Sequence, residues 1–345
     1  MKLGTLVGYS GATVNIPIDM IKEAENLGFE SAWVAEAWGS DAVSTSAWIL
    51  AQTSKIKVGT AIMQMPARTP SATAMAAMTL DQLSGGRFIL GIGASGPQVA
   101  EGWYGETYGR PITKMREYIS IIRQIWERKG PLEHDGYHYQ IPNMREGTTG
   151  LGKALKSILH GNPDIPIYTA SITPAGVRCA AELADGFFPV WMNPDRFDIF
   201  EDAVNEGFAA KGGGSLKEFD VAPFVTCIIH DDIEQARMGV KGMMALYIGG
   251  MGARGKNFYN DYAKKLGYEE AAEKIQDLYL DGKKSEAMLA VPDKLVDEVA
   301  IVGPKDRVKG ELERWKDAGK KGHVSSMLIG GGTRETMQLL AEEML

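Results

Sequence analysis

At 345 residues, with 44% apolar and 23% charged positions, the chain has the composition of an ordinary globular protein, long enough for one large domain or two small ones. A formal net charge of −7 argues against a nucleic-acid or anionic-membrane partner, which needs a basic face. No apolar stretch approaches the roughly 20 residues of a membrane span, and MKLGTLVGYS has no signal-peptide core, so a cytoplasmic protein is expected.

In chain order, β-type runs alternate with segments of helical apolar spacing. Leu3–Tyr9 leads to a helix over Pro17–Leu27, stopped by Gly28; Ser31–Ala35 leads to Ala42–Thr53. Lys57–Met63 leads to Pro70–Leu83, closed by Gly85 and Gly86, and Arg87–Ile92 leads after a long loop to Thr113–Arg128. Ile165–Ala170 precedes Pro174–Ala184, Gly186–Trp191 precedes Pro194–Ala210, and Phe219–Ile229 precedes helices from Asp232 onward. Val324–Ile329 leads to Arg334–Leu345. Several helices open on Pro and stop before Gly, as real helix ends do. Strands separated by helices run parallel, and eight such units predict a (β/α)8 barrel over 1–345 as one domain; an open doubly wound sheet is the alternative. Two stretches break the rhythm, about 130–163 and 241–304, and long insertions of this kind shape sites or interfaces.

Cys179 and Cys227 lie in apolar context and read as buried packing residues. The five histidines form neither HxH nor HExxH, so no metal site is expected. No G-x-S-x-G elbow supports a serine hydrolase.

A barrel places its chemistry at the C-terminal strand ends. Strand 4 exits as GIGASGPQVAEGW, where Gly91, Gly93 and Gly96 match G-x-G-x-x-G. Pro97 and Gly102 follow instead of an immediate amphipathic helix, so the glycines read as close backbone approach to a flat ligand or as a tight rim turn. Strand 3 exits through Thr60, Ala61, Ile62 and Met63, an apolar wall or plain core. Strand 5 exits through Ala170, Ser171 and Thr173 into a helix N-terminus, suited to a phosphate, with Thr173 equally readable as the N-cap. Strand 2 exits as WVAEAWGSDA, where Glu36 is the best candidate for proton handling or for holding a ligand, and a loop anchor is the other reading. Trp38, Trp103, Tyr104 and Trp191, with the 241–304 insertion, are candidates for a substrate pocket suited to an apolar or aromatic molecule.

WVAEAWGSDAVS, VGTAIMQMPARTP, RFILGIGASGPQVAEGWYG, ITPAGVRCAAELADGFFP, YIGGMGARGKNFYNDYA and VPDKLVDEVAIVGP together resemble the bacterial luciferase-like superfamily, specifically its F420-dependent oxidoreductase branch. The resemblance spans essentially the whole chain. It implies a barrel with a deazaflavin, coenzyme F420, lying across the strand ends, and a non-prolyl cis peptide within Thr60–Ala61–Ile62. It also implies a cradle for the cofactor's side chain and phosphate from Ala94, Ser95, Gly96 and Pro97 and from Ala170, Ser171 and Thr173, and a homodimer. Many relatives carry His after the acidic residue at the strand 2 exit. Here Ala37 follows Glu36, which removes that general base and turns the expectation toward reduction of an activated bond.

The expected function is hydride transfer between F420 and a small organic molecule. The alternatives are an FMN-dependent monooxygenase using reduced flavin and O2, and a non-enzymatic cofactor store whose substrate side is blocked by residues such as Trp103, Tyr104 or Trp191. Arg254 and Lys256 are candidates for a basic groove for the anionic F420 tail, or a solvated surface pair.

Overall fold

The computed structural model describes residues 1–345. Eight parallel strands form a ring: β1 (Lys2–Val7), β2 (Ser31–Val34), β3 (Lys57–Thr60), β4 (Phe88–Gly93), β5 (Ile167–Ala170), β6 (Gly186–Phe188), β7 (Phe224–Ile229) and β8 (Ser326–Gly330). Each pairs with its successor in sequence from β1 to β6, and β8 lies between β1 and β7. Asp220–Val221 pairs β6, and the bridge from Val190 to Phe224 joins β6 to β7, so the ring closes. The predicted barrel is the observed architecture.

The helices alternating with these strands are α1 (Ile18–Leu27), α2 (Ala42–Gln52), α3 (Pro70–Ser84), α4 (Pro111–Glu127), α5 (Pro174–Leu183), α6 (Asp198–Lys211), α7 (Ile233–Ala245) and α8 (Arg334–Met344). Their starts follow local chemistry: Asp41, Thr69, Thr173, Asp232 and Thr333 cap α2, α3, α5, α7 and α8 through side-chain oxygens. The excursion near 130–163 holds a small hairpin, His134–Asp135 against Gln140–Ile141. The excursion from 241 continues α7 into a π-helical turn at Leu246–Gly250 and adds four further helices before Ile301–Gly303, a strand that pairs with the end of β7. No helix is long and apolar enough to cross a membrane.

Several predicted bounds move. Strand 1 stops at Val7, not Tyr9, and strand 3 at Thr60, not Met63. Strand 7 is interrupted at Ala222–Pro223, because Pro223 has no N–H to give a ladder. The helix expected from Pro194 starts at Asp198, after a turn in which Arg196 and Asn193 close a backbone bond.

The apolar core divides in two. A large cluster fills the layer between barrel and helices, and a small one occupies the barrel interior: Trp33, Ile89, Tyr168, Phe188, Ala222 and Leu328. Trp33 packs edge-on against Phe188 with ring centres 5.0 Å apart and against Tyr168 at 5.3 Å. The ring has room because its neighbour on β3 is Gly59, where a Cβ would sit 2.3 Å from the indole. Partly exposed Leu6, Ala61, Ile62 and Phe224 pack against this cluster. The aromatic plug thus closes the barrel from within and leaves its C-terminal mouth as the open end.

Candidate active site at the barrel mouth

The β3 exit is built by an insertion of one residue. Gly59 pairs with Ile89 and Met63 with Ile92, so four residues on one side are matched by three on the other. The surplus is a bulge at Ala61–Ile62, joined by a cis peptide, inside the segment where the resemblance implied one. Two polar devices hold it. On one side the Thr60 hydroxyl, fully buried, donates to Gly91 O at 2.7 Å and accepts from Gly91 N–H at 2.9 Å. A Cβ on Gly91 would lie 1.7 Å from the Thr60 carbonyl, so only glycine fits there. On the other side Glu36, 5% exposed, accepts from the backbone N–H of Gln64 at 2.7 Å and of Ala42 at 3.0 Å.

Glu36 also takes both terminal nitrogens of Arg68, at 2.8 and 2.7 Å. Burial alone would lower the basicity of Arg68, and Glu36 reverses this and holds the guanidinium above its ordinary value. The Arg68 carbonyl accepts from Tyr118 OH of α4 at 3.1 Å, and Thr73 lies 2.5 Å from the same phenol. Tyr104, half-buried nearby, is pushed up by burial and then by the Glu36 charge, so its phenol stays protonated.

The bulge sets Ala61 and Ile62, both partly exposed, as an apolar floor. A Cβ on Gly93 would lie 2.8 Å from Ile62 and 3.6 Å from Ala170, so the Ile62 side chain packs over buried Gly93 and only glycine leaves it room. Ala94, Ser95, Gly96 and Pro97 are partly exposed along the edge of the floor, with Ser95 in the left-handed region at φ 59°. At the β5 exit Thr173 caps α5 by accepting from Gly176 N–H at 3.2 Å. A Cβ on Gly176 would meet the hydroxyls of Ser171 at 2.8 Å and Thr173 at 3.0 Å, so both oxygens gather on that helix end.

The remaining candidates distribute unevenly. Thr60, Met63, Gly91 and Gly93, expected to contact a cofactor, are buried beneath the bulge, where Thr60 and Gly91 bond to each other. Trp38 and Trp103, expected to line a substrate pocket, are 58% and 62% exposed on rim loops. Trp191 is buried, with a left-handed backbone at φ 48°, its carbonyl accepting from Tyr262 OH and its ring packed edge-on against Tyr247 and Tyr259. Arg254 is engaged with Asp277 at 2.8 Å and Asp281 at 3.8 Å, whereas Lys256 is exposed. The buried thiols of Cys179 and Cys227 are pushed up to about 11 and about 12 by desolvation.

Arg68 and Gln64 went unmarked in the sequence. One signal was available: an arginine just before a helix start sits against the positive end of the helix dipole and calls for a carboxylate.

A closed parallel barrel with a bulged third-strand exit, a flat apolar floor and a hydroxyl-bearing helix end defines a ligand-binding α/β-barrel of the enzyme type. Residues 4–321 match the family of luciferase-like monooxygenases, and the chain belongs to that family. It is 43% identical over 344 residues, 99% of this chain and 98% of the other, to a protein of Mycobacterium tuberculosis provisionally described as a coenzyme F420-dependent oxidoreductase. It is 27% identical over 331 residues to the 5,10-methylenetetrahydromethanopterin reductase of Archaeoglobus fulgidus, covering 94% of this chain and 93% of the other. Among solved structures, the F420-dependent tetrahydromethanopterin reductase of Methanopyrus kandleri superposes with a TM-score of 0.77 at 26% identity, over 99% of this chain and 97% of the other.

Proposed function

We propose that the protein is an F420-dependent oxidoreductase that transfers hydride between the deazaflavin and a small organic substrate. The observation that carries this reading is the partly exposed apolar surface of Ala61 and Ile62 at the bulge, with exposed Ala170 at the β5 exit leading to the paired hydroxyls of Ser171 and Thr173. A flat tricyclic ring suits the floor, and a phosphate suits the helix end, where N–H groups and hydroxyls supply donors. Whole-length relatedness to F420 proteins supports the same cofactor.

In this reading Ala61 and Ile62 support the ring, Ala94–Pro97 border the side chain, and Ser171 and Thr173 hold the phosphate. When bound, the cofactor supplies or accepts the hydride. Glu36 has both oxygens occupied by Arg68 and two backbone donors, so we assign it a positioning role: it fixes the bulge and handles no proton. With Ala37 beside it, the β2 exit offers no free base. The reading includes a cytoplasmic homodimer, which sedimentation checks.

Fluorescence quenching or calorimetry with F420 and FMN side by side tests the proposal. The expected result is saturable F420 binding that is much tighter than FMN binding. Tight FMN binding with no F420 binding overturns it in favour of a flavin monooxygenase.

A further inference from the structure

The aromatic plug inside the barrel carries side chains from two sides of the ring. Ala61 and Ile62 of the bulge pack on it from β3, and Leu6 of β1 and Phe224 of β7 pack on it from across the barrel, all four partly exposed. The bulge and the wall formed by β6, β7, β8 and β1 therefore border a common space. Strand register fixes which side chains look into that space, because paired residues of parallel strands share a face and alternate residues along a strand return to it. Leu6 pairs with Trp33 of the plug and Phe224 with Leu328 of the plug, so both point inward. Phe224 also stacks on Phe188, with ring centres 5.3 Å apart, and Val190 bridges it from β6 on the same face. Two residues beyond Phe224, Thr226 pairs with Gly330, and a Cβ on Gly330 would lie 3.3 Å from Leu6.

Toward the mouth the inward positions of this wall are thus Leu6, Val190, Phe224, Thr226 and Gly330, each partly exposed. None is ionisable, and Thr226 is the one polar side chain among them. Its hydroxyl takes no hydrogen bond within the protein, whereas the Thr60 hydroxyl is bonded twice to Gly91 and that of Thr73 pairs with Tyr118. The other polar groups that face the barrel interior are committed. Tyr168 of the plug turns its hydroxyl to Asp220 at 2.9 Å, and Ser326 and Lys2 bond the same carboxylate oxygen at the N-terminal strand ends, beyond the plug. Gln64, paired with Gly93, is 5% exposed and its amide donates to Glu36 O at 3.0 Å. Arg68, the cation at the β3 exit, is held by Glu36. The wall supplies apolar contact and one free hydroxyl, and no charge. A carboxylate or phosphate laid on it would give up hydration and gain no counter-ion. A neutral acceptor loses far less and regains its hydrogen bond from Thr226.

We propose that this wall is the substrate face of the mouth, that it takes the neutral, apolar part of a molecule, and that Thr226 sets the orientation of that part by donating to its one hydrogen-bond acceptor. This rests on the hydride-transfer reading above, in which the deazaflavin lies on the bulge at the opposite side of the same space. Leu6, Val190 and Phe224 bury the apolar body against the plug. Any ionised group of the substrate projects past the strand ends, away from the wall. Thr226 is then a specificity-determining residue: as the one polar contact from the wall, it selects which edge of a flat or elongated molecule is turned toward β7.

Equilibrium dialysis against naphthalenes of one shape tests the proposal, with F420 at saturation and without it. The probes are 2-methoxynaphthalene, which has a neutral acceptor, 2-ethylnaphthalene, in which CH2 replaces that oxygen, and 2-naphthoate, an anion. The expected result is that 2-methoxynaphthalene binds about fivefold more tightly than 2-ethylnaphthalene, the worth of one hydrogen bond. The anion is expected to bind about tenfold or more weakly than either, and F420 is expected to displace none of them. Thr226→Val, which keeps the side-chain shape, abolishes the preference for the methoxy probe and leaves 2-ethylnaphthalene binding unchanged, and Thr226→Ser restores the preference. Should Thr226→Val fail to fold, the ranking of the probes on the wild-type protein still decides. Equal binding of the two neutral probes, preference for the anion, a methoxy preference that survives in Thr226→Val, or displacement of the probes by F420 overturns the proposal. F420 titration of the same preparations separates the two readings. The expected probe ranking without F420 binding sinks the cofactor assignment alone, and F420 binding with the wrong ranking sinks this proposal alone.

Discussion

Arg68 and Glu36 face one another across the exits of β3 and β2 as a two-point pair, Nη1 to Oε2 at 2.8 Å and Nη2 to Oε1 at 2.7 Å. Removing one member leaves the other charge buried and unpaired, a loss of about 3–5 kcal/mol in enclosed pairs. Since the Arg68 side chain keeps 18% of its surface, the lower end applies. Glu36→Gln is therefore expected to cost about 3 kcal/mol in urea unfolding and to weaken F420 binding by loosening the bulge. The double variant Glu36→Gln/Arg68→Met is expected to be less destabilised than the sum of the singles. Strict additivity would show that the pair is not coupled.

Gly91→Ala places a methyl group where the Thr60 carbonyl now stands, since the Cβ would lie 1.7 Å from that oxygen. The neighbour is backbone and cannot swing away, so the bulge must shift. We expect a marked loss of thermal stability and no measurable F420 binding. Gly310→Ala, whose Cβ would meet nothing within 4 Å on an exposed helix face, is expected to fold and bind as wild type. Calorimetry on both decides, and a Gly91→Ala protein that binds F420 normally would remove the bulge from the site.

Thr173→Ala deletes the cap of α5 and one of the two hydroxyls assigned to phosphate. The cap alone accounts for about 1 kcal/mol of stability. A cofactor role adds a second effect: F420 affinity falls, while affinity for a deazaflavin lacking the phosphate does not. Equal losses for both ligands would mean that Thr173 acts only as a cap.

Glu117 of α4 collects the backbone N–H groups of Tyr137, His138 and Tyr139 at 2.9, 3.0 and 2.9 Å. Burial raises this carboxyl, but those donors and His134 outweigh it and hold it below 4.5. A depressed folded-state pKa means that the stabilisation is complete above about pH 4.5 and is lost as pH falls through the lower, folded value. Protection factors at residues 137–139, corrected for intrinsic exchange, are expected to fall on acidification before those of the barrel strands do. Glu117→Gln should abolish that pH dependence, and an unaltered profile in the variant would assign the effect elsewhere.

The alternation of strand and helix was legible because each step has a local cause. β-branched runs favour strands, apolar spacing marks helix faces, and Pro, Thr, Asp and Gly mark the ends. Thr173 is an example: its place before Pro174 marked a cap, and the cap is there. Glu36 was visible as a carboxylate at a strand exit. Whether it was a base or an anchor was not, because that depends on Arg68, 32 positions away, reaching it through the folded β3 exit.

By itself the sequence determined the barrel and its order of units, since periodicity and caps act within a few residues. Only the tertiary structure decided the register of β3 against β4, which buries Thr60 and Gly91 against each other at the bulge. It alone also decided that Tyr247 and Tyr259 pack on Trp191. Register and long-range packing are properties of ring closure, and they depend on contacts between residues far apart in the chain.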